Sequence, residues 1–229
     1  MTSRAQRREV TQRAILDASL KLLAEGGQEA LTVRGLARQL NLVPSALYRY
    51  VTSRQDLLTI LFQNLHNDWA DALQAALDEV PDGDVRLRWR AFARALRQWS
   101  LDHPHEWTLI NGAPPRDYHA VEGQNLTAGM RLYQMLGRLG ADAEAAGLQP
   151  RVTEAEYPGD LSGITAFITE SGIELQPETV VAGLAAWHLL MGALYAERFG
   201  AWGHDLIAPE DYYDLMVLAS EKLLFGSAA

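Results

Sequence analysis

The sequence predicts an all-α fold, in which three short N-terminal helices are joined by a long fourth helix to a larger helical domain. Three observations predict it. Apolar residues recur at every third or fourth position through most of the 229 residues, which is the spacing of one helix face. Glycine and proline stand where these patterns stop, as they do at helix ends. A hydrophobic fraction of 48% is enough for a full buried core.

The first helix is predicted over residues 10–25, with one apolar face formed by Ile15, Ala18, Leu22 and Leu23. Gly26 and Gly27 end it, because glycine readily adopts the left-handed conformation that stops a helix. A second, short helix follows and buries one side, formed by Leu31, Val33, Leu36, Ala37 and Leu40.

A tight turn separates the second helix from the third. Thr32 precedes the second helix, where its hydroxyl can cap a free amide group. Asn41 tolerates the left-handed backbone of a turn. Pro44 suits the first turn of the third helix, which buries Leu47. Two short helices joined in this way are typical of a helix-turn-helix that reads DNA.

The middle of the chain predicts longer helices. The fourth runs from about residue 54 to 79, with apolar residues at every fourth position: Leu57, Leu61, Leu65, Trp69, Leu73 and Leu77. The fifth, over 84–102, buries Trp89, Phe92, Leu96 and Trp99. Its other side carries Arg86, Arg90, Arg94 and Arg97, which we interpret as a solvated face that pairs with nearby acids.

Shorter elements follow the fifth helix. A short helix is predicted within residues 103–120, and another near 161–171. Between them, residues 121–147 form a helix with Leu126, Met130, Tyr133 and Leu136. Proline and glycine punctuate 103–120 and 147–160, the two segments where a ligand gate could lie.

The last two helices are strongly apolar and are predicted over 177–202 and 209–225. Apolar residues cover so much of the first of these helices that it needs cover on both sides. The core of the chain can cover one side, and a partner subunit is the simplest cover for the other. The sequence therefore predicts a homodimer.

Residues 31–54 resemble the N-terminal domain of the tetracycline-repressor (TetR) family of bacterial transcription regulators. The family pattern is matched by Thr32, Arg34, Leu36, Ala37, Leu40, Leu47, Tyr48, Tyr50, Val51 and Arg54. Asn41 stands where the family has glycine and Ala46 where it frequently has threonine; at Tyr50 and Arg54 the pattern allows the residue present, but histidine and lysine are more usual. The resemblance implies a helix-turn-helix DNA-binding domain over 1–54 and a ligand-binding and dimerisation domain over 55–229.

The resemblance also implies how the subunits pair and what they bind. Family members dimerise through a four-helix bundle made from the last two helices of each subunit. Trp187 and Gly192 match the W-x-x-x-H-G signature of one type of TetR C-terminal domain; Met191 replaces its histidine and His188 lies one turn earlier. A twofold dimer reads an inverted-repeat operator in double-stranded DNA. Ligand binding would tilt the fourth helix and so change the separation of the DNA-binding domains of the two subunits, the two reading heads of the dimer.

We expect the DNA-binding residues to differ in role, some reading bases and others contacting phosphates. Arg34 is the best direct reader, because arginine can bind guanine O6 and N7 with two hydrogen bonds. Ser45 can bond a base or a phosphate, whereas Pro44 and Ala46 can only contact apolar base edges. Phosphates are then held, and register set, by Thr32, Tyr48, Tyr50 and Arg54.

The candidate effector-binding residues are aromatic or histidine side chains of the middle and late helices. They are Trp69, Trp89, Trp99, Trp107, Tyr133 and His188. Such side chains suit a mostly apolar or aromatic small molecule. Aromatic residues at helical spacing also serve as plain core, so the sequence makes a pocket plausible without locating it.

Charge is divided along the chain in a way that suits DNA binding. Residues 1–54 hold nine basic and four acidic residues, a net charge of +5. The rest of the chain holds 11 basic and 25 acidic residues, a net charge of −14. A basic head on an acidic body attracts phosphate at one end only, which orients the protein on DNA.

Several other classes of protein are disfavoured. The chain has no cysteine, which excludes disulfides and thiolate metal sites. No uninterrupted run of about 18 apolar residues and no signal-peptide pattern occur, so we expect a cytoplasmic protein that contacts no membrane. We find no catalytic motif, and expect no cofactor and no bound metal.

Two alternatives stay open beside a ligand-released repressor. One is a DNA-binding factor that responds to no ligand. The other is an enzyme that uses His103, His105 and Glu106, with His119 nearby. A proline splits the two histidines of this cluster, and we interpret it as a helix boundary.

Overall fold

The computed structural model describes residues 4–113, 115, 118, 124–151, 160–201 and 206–226, which form ten helices and no strand. The helices are α1 (Arg4–Ala30), α2 (Val33–Gln39), α3 (Pro44–Leu47), α4 (Arg54–Asp78), α5 (Val85–Asp102), α6 (Pro104–Asn111), α7 (Gln124–Ala145), α8 (Ser162–Glu170), α9 (Pro177–Phe199) and α10 (Pro209–Phe225). The all-α prediction is confirmed, and most helices keep their predicted bounds within a few residues. His119 and most of the 147–160 segment lie outside the described residues.

The helices belong to two compact units. The first comprises Met1–Asp68 and His103–Gly129, so the predicted DNA-binding domain lies wholly inside it. Its core is one cluster of buried side chains, among them Ile15, Leu23, Leu31, Leu36, Leu47, Val51, Leu57, Leu61, Phe62 and Leu109. The start of α4 and helix α6 thus share a core with the three N-terminal helices.

Helix α1 is longer than predicted but is broken where the sequence indicates. Gly27 has φ of 64° and ψ of −167°, outside the helical region. The residues that follow turn the chain into α2, since the amide of Thr32 donates to the carbonyl of Ala30 at 2.8 Å.

The second unit comprises Trp69–Asp102 and Met130–Ala229, and α9 and α10 form its largest helix pair. Buried polar atoms are tied between helices: the Trp89 indole donates to Ser220 Oγ at 3.0 Å, and the Tyr213 hydroxyl donates to the Ala93 carbonyl at 2.7 Å. Such bonds offset the cost of burying these polar groups. Helix α5 is therefore fixed against α10 by apolar packing and by specific hydrogen bonds.

The arginine stripe of α5 pairs with acids, as predicted, and half of it is a solvated face: Arg90 and Arg94 are exposed, whereas Arg86 and Arg97 are half-buried. The buried carboxylate of Glu221 on α10 accepts hydrogen bonds from Arg86 and Arg90. Glu197 on α9 forms a bidentate pair with Arg97, at 2.8 and 3.0 Å. The side chains of Arg86 and Arg97 are partly covered because they reach acids on α10 and α9.

Helix α7 does not bury the face that its sequence suggests. Its most buried apolar residues are Leu132, Met135, Leu139 and Ala143. Tyr133 is instead 42% exposed and Leu136 half-buried. The face that carries Tyr133 and Leu136 borders a cavity. Apolar side chains both pack in a core and line a cavity, so the sequence pattern did not reveal which side of α7 packs in the core.

Helix α9 is apolar nearly all round. By length and composition it could cross a membrane, but 56% of its most apolar stretch is buried within the protein. This is the behaviour of a core helix. Gly200, with φ of 66°, ends α9 in the left-handed conformation.

Candidate DNA-binding surface and effector cavity

The turn between α2 and α3 has the local geometry that its residues predict. The Oγ1 of Thr32 accepts a hydrogen bond from the Gly35 amide at 2.9 Å and so caps α2. Asn41 has φ of 54°, the left-handed conformation expected of it. Pro44 is the first residue of α3. These three features aim α3 away from the core, with only Leu47 buried.

Helix α3 is shorter than the sequence suggests. It ends at Leu47, and Tyr48, Arg49 and Tyr50 form the turn that follows. The amides of Tyr50 and Val51 both donate to the Leu47 carbonyl, at 2.8 and 3.0 Å. This second bond has helical spacing, so the backbone stays compact although the regular helix has ended.

The predicted DNA-binding residues differ in exposure. Arg34, Pro44, Ser45 and Tyr48 are exposed, whereas Thr32, Ala46, Tyr50 and Arg54 are half-buried. Further exposed side chains occur on the same segments and were not predicted as contacts: Arg38, Leu42, Val43 and Arg49. Val43, at 65% exposed, is an apolar side chain that the core does not use. Its position just before Pro44 was the signal that could have identified it.

Arg54 has a structural role that the sequence did not reveal. Its Nε donates to the Leu31 carbonyl at 2.9 Å, and its Nη2 donates to the Gln28 carbonyl at 3.0 Å. The guanidinium therefore ties the start of α4 to the turn before α2. Its predicted phosphate contact stays a prediction, to be weighed beside this role.

The start of α4 is capped by side chains. Ser53 Oγ accepts from the Asp56 amide at 3.0 Å, and the Asp56 carboxylate accepts from the Thr52 amide at 2.8 Å. This pair of bonds resembles a capping box: it satisfies one free donor of the helix, the Asp56 amide, and also the amide of Thr52, which precedes the cap. Together with Arg54 it fixes the chain that leaves α3, which positions the DNA-binding surface.

The second unit contains an apolar cavity, a candidate site for an effector, which we call the effector cavity. Its lining comes from α5, α7, α8, α9, α10 and the connection before α9: Trp89, Tyr133, Leu136, Gly137, Leu139, Gly140, Ile164, Phe167, Ile168, Leu175, Thr179, Val180, Gly183, Leu184, Trp187, Leu224 and Phe225. The empty space is about 650 Å³ including its mouth, but only about 60 Å³ of it can hold the centre of a water-sized sphere. The cavity is therefore narrow.

Of the six candidate effector-binding residues, only Trp89 and Tyr133 line this cavity. Trp69 and Trp99 stack in the core of the second unit, with ring centroids 5.4 Å apart. Trp107 is buried in the first unit. His188 is exposed on α9 and bonds to the Leu184 carbonyl at 2.7 Å. Aromatic content did not distinguish packing from lining, because both use the same side chains.

The other lining residues are mostly aliphatic side chains and glycines. Gly183, in the middle of α9, has open space where a Cβ would be, with no atom within 4 Å. A glycine inside a helix costs about 1 kcal/mol relative to alanine. Interior glycines on the facing helices α7 and α9 were the signal that could have located the cavity.

Helices α9 and α10 also expose apolar side chains, which on α9 lie C-terminal to the residues that line the cavity. Tyr195, Phe199, Leu215 and Leu218 are exposed, and between the two helices lies a shallow groove to which Gly192 and Met216 contribute. We call this surface the outer face. Exposed apolar patches of this kind mark interaction sites.

The cluster suggested as an alternative enzyme site is a helix boundary, as interpreted. His103 is the N-cap residue of α6 and Pro104 is its first residue. Among the described side chains, no group of three histidine, cysteine, aspartate or glutamate residues could hold a metal ion.

Two protein-family models match the chain over the regions just described. A model described as bacterial regulatory proteins, tetR family, matches residues 15–59. A second, described as tetracyclin repressor-like, C-terminal domain, matches residues 89–219. The chain belongs to the TetR family. The TetR resemblance of residues 31–54 is thus confirmed, and the C-terminal match includes Trp187 and Gly192.

Relatives of this TetR-family protein agree with that assignment. An HTH-type transcriptional regulator of Mycobacterium tuberculosis is 33% identical over 208 residues, which cover 89% of this chain and 87% of the relative. A protein of the same description in Mycobacterium bovis has the same identity and coverage. The TetR-family protein is therefore a DNA-binding transcriptional regulator and not an enzyme.

Solved structures share its fold. The regulatory protein SCO4313 superposes with a TM-score of 0.72 at 22% identity, covering 96% of this TetR-family chain and 98% of its own. A protein from Rhodococcus sp. RHA1 gives a TM-score of 0.69 at 21% identity, covering 93% and 95%. At these identities the likeness establishes the fold.

Proposed function

We propose that this TetR-family regulator is a repressor that binds an inverted-repeat operator as a homodimer and is released by an apolar small molecule. The observation that carries the proposal is the effector cavity, a narrow apolar space in the unit that lacks the helix-turn-helix. A DNA-binding factor that responds to no ligand has no use for such a cavity. Repression needs no further contact surface, because a dimer on a promoter blocks polymerase. A cytoplasmic location agrees with this role.

The DNA-binding surface supports direct reading by few side chains. Arg34 projects from α2, and Pro44 and Ser45 lie at the exposed start of α3. Val43 adds an apolar contact beside them, suited to a thymine methyl. We assign phosphate contacts to Thr32, Tyr48, Tyr50 and Arg54, whose role is to hold register.

The outer face supports the homodimer. Gly192 lies on it, and a Cβ at this position would meet no atom of the same chain within 4 Å. Nothing in one subunit requires a glycine there, although glycine destabilises a helix interior. Close approach of a partner helix explains the glycine and covers Tyr195 and Phe199. These features support the predicted pairing through the last two helices.

The effector reaches α4 through aromatic side chains. No α4 residue lines the cavity, but the Trp187 ring, which does, lies 6.3 Å from that of Trp69 on α4. Tyr133, at the opposite wall, lies 6.2 Å from Trp187. A ligand that displaces Trp187 therefore acts on α4, the helix whose tilt we expect to set the spacing of the reading heads.

Selection of bound DNA from a random pool tests the proposal. The full-length protein should enrich an inverted repeat, and its affinity should fall steeply between 50 and 200 mM salt because phosphate contacts release counterions. The enriched repeat then serves as the probe in a screen for apolar molecules that release it. Enrichment of no repeat would refute sequence-specific binding, and release by no molecule would leave the ligand-independent factor as the better description.

A further inference from the structure

Among the described residues, the lining of the effector cavity includes no charged side chain. The polar side-chain atoms of this described lining are the two indole nitrogens of Trp89 and Trp187 and the hydroxyls of Tyr133 and Thr179. The Trp89 nitrogen already donates to Ser220, and Tyr133 is 42% exposed. A buried ionised group without a partner is strongly unfavourable. The chemistry of the lining therefore selects against a charged ligand.

Thr179 is the exception among these polar groups. The residue is only 5% exposed, and its hydroxyl oxygen is buried with no hydrogen-bond partner among the described residues. The methyl group of the same side chain lies against Gly140, where an added Cβ would come within 3.0 Å of Thr179 Cγ2. A buried hydroxyl that lacks a partner costs free energy, so a bound molecule that supplies one would remove this cost.

The helix end beside Thr179 does not favour an anion. Thr179 lies in the first turn of α9, where free amides usually attract negative charge. Here the Glu144 carboxylate accepts from the Gln176 amide at 2.8 Å, and Glu178 adds a second carboxylate to the turn. These groups already supply the negative charge, and they would repel the carboxylate of a ligand.

We propose that the effector is an uncharged, slender, apolar molecule with one oxygen function, an alcohol or a ketone, that hydrogen-bonds to the hydroxyl of Thr179. The inference rests on the proposed role of the cavity as the effector site. The narrow free volume suits an alkyl chain or a single flat ring.

Matched eight-carbon probes test the inference on the full-length protein without DNA. Trp89 and Trp187 line the cavity, so intrinsic tryptophan fluorescence reports occupancy. We expect saturable binding of 1-octanol and 2-octanone, and binding of octanoate at pH 8 that is at least about tenfold weaker, because its charge has no partner. Octane, delivered through the vapour phase, should bind weakly and measure the apolar contribution alone.

Two variants separate the hydroxyl from the shape of the cavity. Thr179→Val keeps the volume and removes the oxygen, so affinity for octanol and octanone should fall about five- to tenfold while that for octane stays unchanged. Gly183→Phe fills the open space beside α9 and should abolish binding of every probe.

Several outcomes would overturn the inference: octanoate binding as tightly as octanol, an equal effect of Thr179→Val on octanol and octane, or no binding of octanol and octanone. Operator release, measured separately, distinguishes this failure from failure of the proposed function. Binding of octanol without operator release would remove the regulatory role and keep the ligand class. Release of the operator by octanoate alone would keep the regulatory role and refute the proposed ligand class.

Discussion

Arg34 is the side chain to which we assign direct base reading. It is exposed on α2, while the neighbouring Leu36 is fully buried and fixes the orientation of the helix. We expect Arg34→Ala to relax the preference at one base pair of each half-site by about 1–3 kcal/mol. Arg38→Ala removes an exposed arginine of the same helix and serves as the control. Equal weakening on all sequences would show that Arg34 contacts phosphate only.

Arg54 offers a test of two roles in one residue. Lysine at this position keeps the positive charge but cannot donate in the fork geometry to the carbonyls of Leu31 and Gln28. We expect Arg54→Lys to lower the free energy of unfolding by about 1–2 kcal/mol, since the ammonium cannot reproduce both hydrogen bonds at the geometry of the guanidinium. Thermal unfolding measures this loss. Unchanged stability, with DNA binding weakened equally on all sequences, would favour phosphate contact over the structural role.

His66 makes stability depend on pH. Burial lowers the pKa of His66 below 6.5, and this effect outweighs its bond with the Phe62 carbonyl, which raises the pKa. Below pH 6.5 the unfolded chain therefore binds more protons at this residue than the folded one. The contribution of neutral His66 to the free energy of unfolding is complete above pH 6.5 and is lost as the pH falls through the lowered pKa. Thermal unfolding at pH 7.5 and 5.5 should show a smaller difference for His66→Gln than for the wild type. An equal difference would assign the pH dependence to other groups.

At the scale of elements, the pairing of α5 with α10 depends on one buried acid. Glu221 accepts from Arg90 at 2.7 and 2.8 Å, and Arg86 also donates to the Phe225 carbonyl at 3.0 Å. Phe225 lines the effector cavity, so this cluster holds one cavity wall in place.

We expect Glu221→Gln to lower the free energy of unfolding by about 1–3 kcal/mol. A fully buried pair would lose more, but the half-exposed Arg90 can still be solvated. Denaturant unfolding measures the change, and Asp214→Asn, an exposed position of the same helix, is the control. A loss no larger than that of the control would show that apolar packing alone pairs the helices.

Helix α9 contributes to two surfaces at different points along its length. Val180, Leu184 and Trp187 line the cavity, whereas Gly192 and Tyr195 belong to the outer face. A helix that is apolar all round is therefore explained without a membrane. The same arrangement lets a ligand in the cavity act on the surface where we propose that two subunits meet.

At the scale of the whole molecule, the outer face should decide the oligomeric state. We expect Gly192→Glu to raise the dimer dissociation constant at least tenfold, because it places an unpaired charge where a partner helix must approach closely. Sedimentation equilibrium measures the change, and operator affinity should fall with it, since one reading head contacts half of the repeat. Gly163→Glu makes the same change on α8, away from the outer face, and should leave the dimer intact. Dimers in both variants would refute the proposed interface.

The sequence by itself determined the helices, the helix-turn-helix and the family. These features depend on local rules: helical spacing of apolar residues, the cap at Thr32, the left-handed turn at Asn41 and proline at the start of α3. Local rules act within a few residues, so they can be read from a single chain. For α3 the local prediction was correct in position but wrong in length, because the helix ends at Leu47.

The tertiary structure alone decided which side chains meet across helices. It placed Arg54 on the carbonyls of Leu31 and Gln28, Glu221 beneath the α5 arginines, and Trp89 and Tyr133 at the cavity while Trp69 packs in the core. The physical reason is that long side chains and aromatic rings show the same helical spacing in the sequence whether they pack in the core, pair with a distant atom or line a cavity. Only packing between distant segments determines whether such a group faces solvent, a partner atom or an empty space.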